Sequence, residues 1–243
     1  MKANTRIDGR SPDALRKINI IEDYVSSAEA SYLIEVGQTR ILCNATIENT
    51  VPRWLKGKGK GWVTAEYSLL PRSTSERVKR ERGSISGRTQ EIQRLIGRAL
   101  RGVCDLEALG ERNIIIDCDV LEADGGTRCA SIVGAFMALV KAIQNADIKS
   151  NKEDTPIIQS WLSAVSVGVL EGNPILDLCY QEDSKAEVDM NIIMTDLKEY
   201  VEIQGTGEEA TYNRPTLNKL LDLGEKGCME LIAIQQQYLG LLP

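Results

Sequence analysis

Five consecutive residues, Asp124-Gly125-Gly126-Thr127-Arg128, hold the parts of an anion site. Two glycines let the backbone turn tightly and come close to a ligand. They fall where a strand-like run gives way to helical periodicity, and the free N–H groups and dipole of a helix start attract negative charge. Thr127 adds a hydroxyl, and Arg128 a guanidinium able to make two parallel bonds to a phosphate. Ser86-Gly87-Arg88-Thr89 repeats the design at a second expected helix start. Singly, each is ordinary turn chemistry, and Arg88 alone reads as a helix-surface arginine. Together the two could converge on one bound phosphate.

A second group is acidic. Asp177, Glu182, Asp183, Glu187 and Asp189 lie within thirteen residues. Asp183, followed by Ser184, is expected in a turn and Asp189 on the strand after it. There Asp189 should face away from the alternating Met190, Ile192 and Met194, because successive strand side chains point to opposite faces. Two carboxylates at such a boundary can hold Mg²⁺ and orient a phosphate oxygen; the alternative is a solvated acidic loop. Asp117 and Asp119, on one strand face, form a rival pair. They are the weaker candidate because Ile115 and Leu121 on the same face suggest burial and hydrogen bonding.

Composition narrows the chemistry further. The 243 residues include no histidine, which excludes Ser-His-Asp and Cys-His catalysis and histidine-ligated zinc. Any metal must rest mainly on carboxylate oxygens, favouring Mg²⁺ or Mn²⁺. Any charge stabilisation must come from Arg, Lys or backbone N–H groups, as in phosphoryl transfer. The six cysteines form no Cys-x-x-Cys pair and sit among apolar or small residues, which reads as buried reduced thiols.

The net charge is −6, yet between Arg53 and Arg101 there are 13 Lys and Arg against 4 Glu, a local +9 that leaves −15 for the remainder. Lys56, Lys58 and Lys60 alternate there with glycines, and Arg72, Arg77, Lys79, Arg80 and Arg82 follow in a stretch with little apolar periodicity. A loop presenting cations from an acidic body suits an RNA or DNA backbone. The Gly-Lys run lacks the ending of a Walker loop.

These groups need elements to position them. Ile18, Ile20 and Val25 begin a strand region, and residues 31–36 and 39–47 flank Gly37-Gln38 as a hairpin. Ile92, Leu95, Ile96, Ala99, Leu100, Val103 and Leu106 recur at helical steps, with Arg94, Arg98 and Arg101 off the stripe. Asn113–Leu121 reads as a strand, and a helix with many small residues starts near Thr127. Residues 162–170, 175–180, 187–195 and 200–204 are strand-like, and a helix over about 216–239 ends the chain. With no repeat or long linker, residues 1–243 are expected to form a single α/β domain. No apolar signal region follows Met1-Lys2-Ala3-Asn4, and no run approaches the roughly 18 apolar residues of a membrane span. A soluble, cytoplasmic protein is expected.

Several longer motifs carry a resemblance. Ile7–Arg10, Gly61–Tyr67, Ser86–Arg98, Asp117–Val120, Ala123–Arg128 and Glu182–Asn191 resemble the ribonuclease PH family of phosphorolytic exoribonucleases, over about residues 6–210. The resemblance implies a ribosomal-protein-S5-domain-2-like α/β (α+β) fold, with mixed sheets and packed helices. It implies a homo-hexamer, a trimer of dimers, acting on precursor tRNA and other RNA 3′ ends. Inorganic phosphate would attack the 3′-terminal phosphodiester and release a nucleoside diphosphate, reversibly, as in a tRNA nucleotidyltransferase. It places the phosphate ligands on Arg88, Gly126, Thr127 and Arg128, and the catalytic, Mg²⁺- or Mn²⁺-holding pair on Asp183 and Asp189. RNA contacts fall on Arg72, Arg77 and Arg80. A non-catalytic RNA-binding ring subunit and a phosphate-binding kinase of similar topology are the other readings; the intact arginine and aspartate sets and the missing ATP-phosphate loop argue against them.

Overall fold

Ile114, Ile116, Cys118 and Val120 alternate with Ile115, Asp117, Asp119 and Leu121, and the chain from Asn113 to Glu122 is accordingly a strand with one buried and one half-open face. In the computed structural model, which describes residues 6–208 and 210–243, this strand is β5. The charged start Met1–Asn4 lies outside the described residues. Before β5 come β1 (Ile18–Glu22), the expected hairpin β2 (Ala30–Val36) and β3 (Thr39–Glu48), and β4 (Trp62–Leu69). They form a five-stranded sheet ordered β1-β2-β3-β5-β4, antiparallel except for the parallel β4–β5 pair.

Helices α1 (Gly87–Gly102) and α2 (Leu106–Leu109) connect β4 to β5, and α3 (Thr127–Asn145) follows it. Then β6 (Leu162–Leu170), β7 (Asn173–Leu176), the single-turn α4 (Tyr180–Asp183), β8 (Val188–Thr195) and β9 (Tyr200–Gly207) lead to α5 (Arg214–Leu239). The second sheet is antiparallel, ordered β7-β6-β8-β9.

Helix α3 lies between the sheets, packing against β2 and β3 on one side and β6 on the other. Being covered all round, it is apolar all round, with Ile132, Phe136, Leu139, Val140 and Ile143 fully buried. Its small residues admit the close approach. A Cβ on Gly134 would stand 2.6 Å from Cys43 Sγ and 2.7 Å from Ile34 Cγ1. Helix α3 is long and apolar enough on average to cross a membrane, but it is no unbroken apolar run, and 83% of that window is buried inside the protein. Cys43, Cys104, Cys118, Cys129 and Cys228 are buried free thiols, and Cys179 is partly exposed.

Two element expectations are corrected. The helical stripe does not continue to Leu106. It breaks after Gly102, and the Asp105 carboxylate accepts from the N–H groups of Glu107 and Ala108 to start a separate helix. Residues 175–180 are not a strand to their end either. β7 stops at Leu176, Asp177 takes a left-handed φ of 55°, and the Cys179 N–H donates to the Glu182 carboxylate to open α4. Asp183 therefore closes a helical turn rather than sitting in a loop turn.

Gly134→Ala should lower stability by about 1–3 kcal/mol through overpacking. The check is a lower urea midpoint with an unchanged denaturant slope.

Candidate active site

A cleft of about 910 Å³ opens where the first sheet, α3 and the β7–β8 connection meet. Arg72, Arg88, Gly126, Thr127, Arg128, Asp183 and Asp189 line it together. Arg77 and Arg80, expected to grip RNA with Arg72, are exposed and are not part of its lining. Arg80 instead lies near enough to Asp119 to oppose the upward push that burial gives that carboxyl. The rival acidic pair, half-buried on the half-open side of β5, does not line the cleft. Burial first, then Glu66 and Asp119, raise the pKa of Asp117.

The Gly-Gly turn can be made only by glycine. Gly125 and Gly126 have φ of 76° and 68°, and a Cβ on Gly125 would lie 2.7 Å from the Leu178 carbonyl and 2.8 Å from Tyr180 N. The turn is braced on several sides. Thr39 donates its hydroxyl proton to the Gly125 carbonyl and accepts from the Asp124 N–H, while Arg16 Nη1 donates to the Asp124 carbonyl at 2.5 Å. Gly126 caps α3 without a side-chain bond, so no side chain among the described residues takes up the first N–H groups of that helix. In α1, by contrast, Ser86 Oγ accepts from the Thr89 N–H, and Arg88 reaches the cleft by its side chain.

The cations converge as expected. Tyr67 donates its hydroxyl to Thr127 Oγ1 at 3.0 Å, leaving the Thr127 proton free to point at a ligand. Burial raises the Tyr67 pKa, against the pull of the nearby Arg88 and Arg128 guanidiniums. Arg128 Nη2 donates to Glu91 at 3.1 Å, and Glu91 also accepts from Gln204. The Arg128 Nε is buried with no partner among the described residues. An unsatisfied buried donor is costly, and a bound anion would relieve that cost.

The five clustered carboxylates divide sharply. Glu182 is buried and takes a two-bond contact from Arg6, at 2.8 and 2.5 Å. Burial alone would raise its pKa, but Arg6 and the Cys179 N–H hold it below the usual range. Asp177 takes Arg16 Nη2 at 2.7 Å and Nε at 3.1 Å. Glu187 accepts from the Gly172 N–H at the surface. Only Asp183 and Asp189 open into the cleft. Burial raises the Asp183 pKa, opposed by Arg128 and Arg88. Burial and then the Asp183 charge push Asp189 up to about 6. Two half-buried carboxylates that repel each other, with oxygen donors only, suit a hard divalent cation. Such a cation completes its shell from water and substrate. Among the described residues no group of three or more potential metal ligands occurs.

Comparison with known proteins places the chain. The model of the 3′ exoribonuclease family, domain 1, matches residues 14–143, and that of domain 2 matches residues 161–227. The chain belongs to the 3′ exoribonuclease family. It is 55% identical to ribonuclease PH of Bacillus cereus (strain G9842) over 238 residues, 97% of each chain, and equally similar to ribonuclease PH of Bacillus anthracis. Its fold is similar to an Archaeoglobus fulgidus exosome with RNA bound to the active site, with a TM-score of 0.78 at 22% identity over 95% of this chain and 92% of that one. It is also similar to rice (Oryza sativa) Rrp46, with a TM-score of 0.78 at 19% identity over 96% of this chain and 100% of that one. The protein is thus a phosphorolytic exoribonuclease that trims RNA 3′ ends in the 3′→5′ direction.

Reading the sequence missed several residues that build or line this cleft. Arg6 and Arg16 are buried partners of the acidic segment, Tyr67 orients Thr127, and Tyr180 lines the cleft from the start of α4. An arginine between Leu15 and Lys17 carries no local mark of burial, and Tyr180 looked like the end of a strand.

The Asp189 titration gives a sign. Its folded-state pKa lies above the ordinary 3.8, so its contribution to stability is full below about pH 4 and is lost as pH rises through about 6. In metal-free protein, Asp189→Asn should therefore stabilise at pH 7.5, on the order of 1–2 kcal/mol given partial solvent access. Urea titrations across this range should show the variant losing less stability than the parent as pH rises.

Proposed function

We propose that the cleft aligns inorganic phosphate with the terminal phosphodiester of precursor tRNA and other RNA 3′ ends. The attacking phosphate sits among Arg88, Arg128, the Thr127 hydroxyl and the N–H groups that begin at Gly126. The observation that carries this reading is the unpartnered, buried Arg128 Nε in a cleft that also presents Asp183 and Asp189. The nucleophile is supplied by the substrate, so the protein must align two anions that repel each other. An oxygen of hydrogen phosphate forms the new P–O bond, and the bond to the penultimate 3′ oxygen breaks. The single proton of hydrogen phosphate balances the one that the departing oxygen takes up. A nucleoside diphosphate leaves, and the RNA ends in a free 3′ hydroxyl.

Asp183 and Asp189 would hold Mg²⁺, or Mn²⁺, on the substrate side of the cleft, where the ion would supply positive charge to the phosphate oxygens. Arg72 contacts RNA at the cleft wall, and Arg77 and Arg80 contact it further along the exposed segment. We take residues 1–243 to fold as one unit, because α3 is shared by both sheets. Assembly as a homo-hexamer, a trimer of dimers, is supported by the fold's likeness to exosome subunits and by the exposed Leu197, Tyr200 and Ile203 around edge strand β9. A cytoplasmic location fits the phosphate and tRNA precursors such an enzyme needs.

Purified protein with Mg²⁺ and a 3′-tailed tRNA should release nucleoside diphosphates only when phosphate is added; monophosphates released without it would mean hydrolysis. Arg128→Ala should lower turnover about 10²–10³-fold and raise the KM for phosphate, with tRNA affinity nearly unchanged. Asp183→Asn should abolish turnover while phosphate still binds.

Single-stranded RNA loses affinity with log salt at about −0.7 per phosphate contact. Replacing Arg72, Arg77 and Arg80 together by Ala should flatten that slope by roughly two. Filter binding across a salt series checks it, and an unchanged slope would make the segment structural.

A further inference from the structure

Tyr180 is 59% exposed, an unusual position for a large aromatic side chain, and it is the one aromatic among the described residues lining the cleft. Its backbone is fixed while its ring is free. The Tyr180 N–H donates to Asp124 Oδ1 at 3.2 Å, and the Gly-Gly turn lies so close that a Cβ on Gly125 would meet Tyr180 N at 2.8 Å. Tyr180 opens α4 and Asp183 closes it, so the two side chains stand three residues apart on one face of a helical turn. Such neighbours have Cβ atoms about 5–6 Å apart, a span comparable to that between a nucleotide's phosphate and its base.

An enzyme that shortens RNA from its 3′ end must accept each base in turn. Hydrogen bonds to base edges would discriminate among the bases, whereas an aromatic face stacks on any of them. The upstream RNA is drawn toward the exposed cations that follow Arg72, in the segment between β4 and α1, whereas Tyr180 lines the cleft from α4. The nucleotide about to be released is therefore the one left beside Tyr180.

We propose that Tyr180 is a stacking platform for the nucleobase of the 3′-terminal nucleotide, setting that nucleotide's position without reading its identity. The proposal rests on the placement of the reacting phosphodiester beside Asp183 given above.

The test is a cycle of enzyme and substrate changes, run with Mg²⁺ and phosphate on two otherwise identical RNAs. One ends in an ordinary nucleotide and the other in an abasic one. The parent protein should lose roughly 10- to 100-fold in kcat/KM when the terminal base is removed, by the usual worth of one base–aromatic stack. Tyr180→Ala should show a similar loss on the ordinary RNA, with the KM for phosphate changed less than twofold, and should no longer distinguish the two RNAs. Tyr180→Phe should behave as the parent does. An unchanged abasic penalty in Tyr180→Ala would overturn the proposal, as would a penalty that follows removal of the penultimate base instead. Failure of the underlying placement shows separately, as an Asp183→Asn variant that still turns over.

Discussion

The guanidinium of Arg16 joins three segments that are far apart in the chain. It pairs with the Asp177 carboxylate just ahead of α4, donates to the carbonyls of Asp124 and Gly125 in the Gly-Gly turn, and hangs from the strand entry before β1. Both partners are almost wholly removed from water. A buried ion pair of this kind adds little net stability, but removing one partner strands a charge and costs about 3–5 kcal/mol. The pair therefore behaves as a fixed strut. The turn that begins α3 cannot shift without Asp177, and Asp177 cannot shift without the helix that carries Asp183.

Around that strut, identical residue types divide by what surrounds them. Arg6 and Glu182 saturate each other, and Arg16 does the same for Asp177. Arg88, Arg128, Asp183 and Asp189 are held near one another without full pairing. The cost is visible in the carboxyls, where burial and mutual repulsion raise proton affinity. Groups kept in this state can act on a substrate's charge, because among the described residues Arg88, Asp183 and Asp189 have no ion-pair partner and Arg128 pairs only through Nη2 with Glu91. The structural pairs supply the rigidity that lets the cleft set stay incompletely paired.

The same division separates the fold from its surface. Relatives only about a fifth identical share the architecture, since the buried faces of α3 and the two sheets tolerate many apolar combinations of similar volume. The glycine positions tolerate far less, because Gly125 meets backbone rather than a movable side chain. The basic segment between β4 and α1 is loop-like and its arginines and lysines are exposed, so packing does not constrain those cations.

Much of this was legible in the sequence. The hairpin about Gly37-Gln38, the α1 stripe, β5 and the α3 start are local, set by the period of apolar residues and by glycines at positive φ. The missing histidines bounded the chemistry by residue type alone. The long motifs carried the family. Which acids would react was not legible, because Asp177, Glu182 and Asp183 look alike along the chain. Arg6 and Arg16, more than 160 residues away, decide which of them are neutralised. The end of α1 at Gly102 and the turn from β7 into α4 were also hidden, being set by the Asp105 and Glu182 carboxylates rather than by periodicity. Local spacing fixes which residues can share a face. Only tertiary packing decides which charges meet a partner and which are left for a ligand, since the energy of a buried charge depends on what the rest of the chain brings beside it.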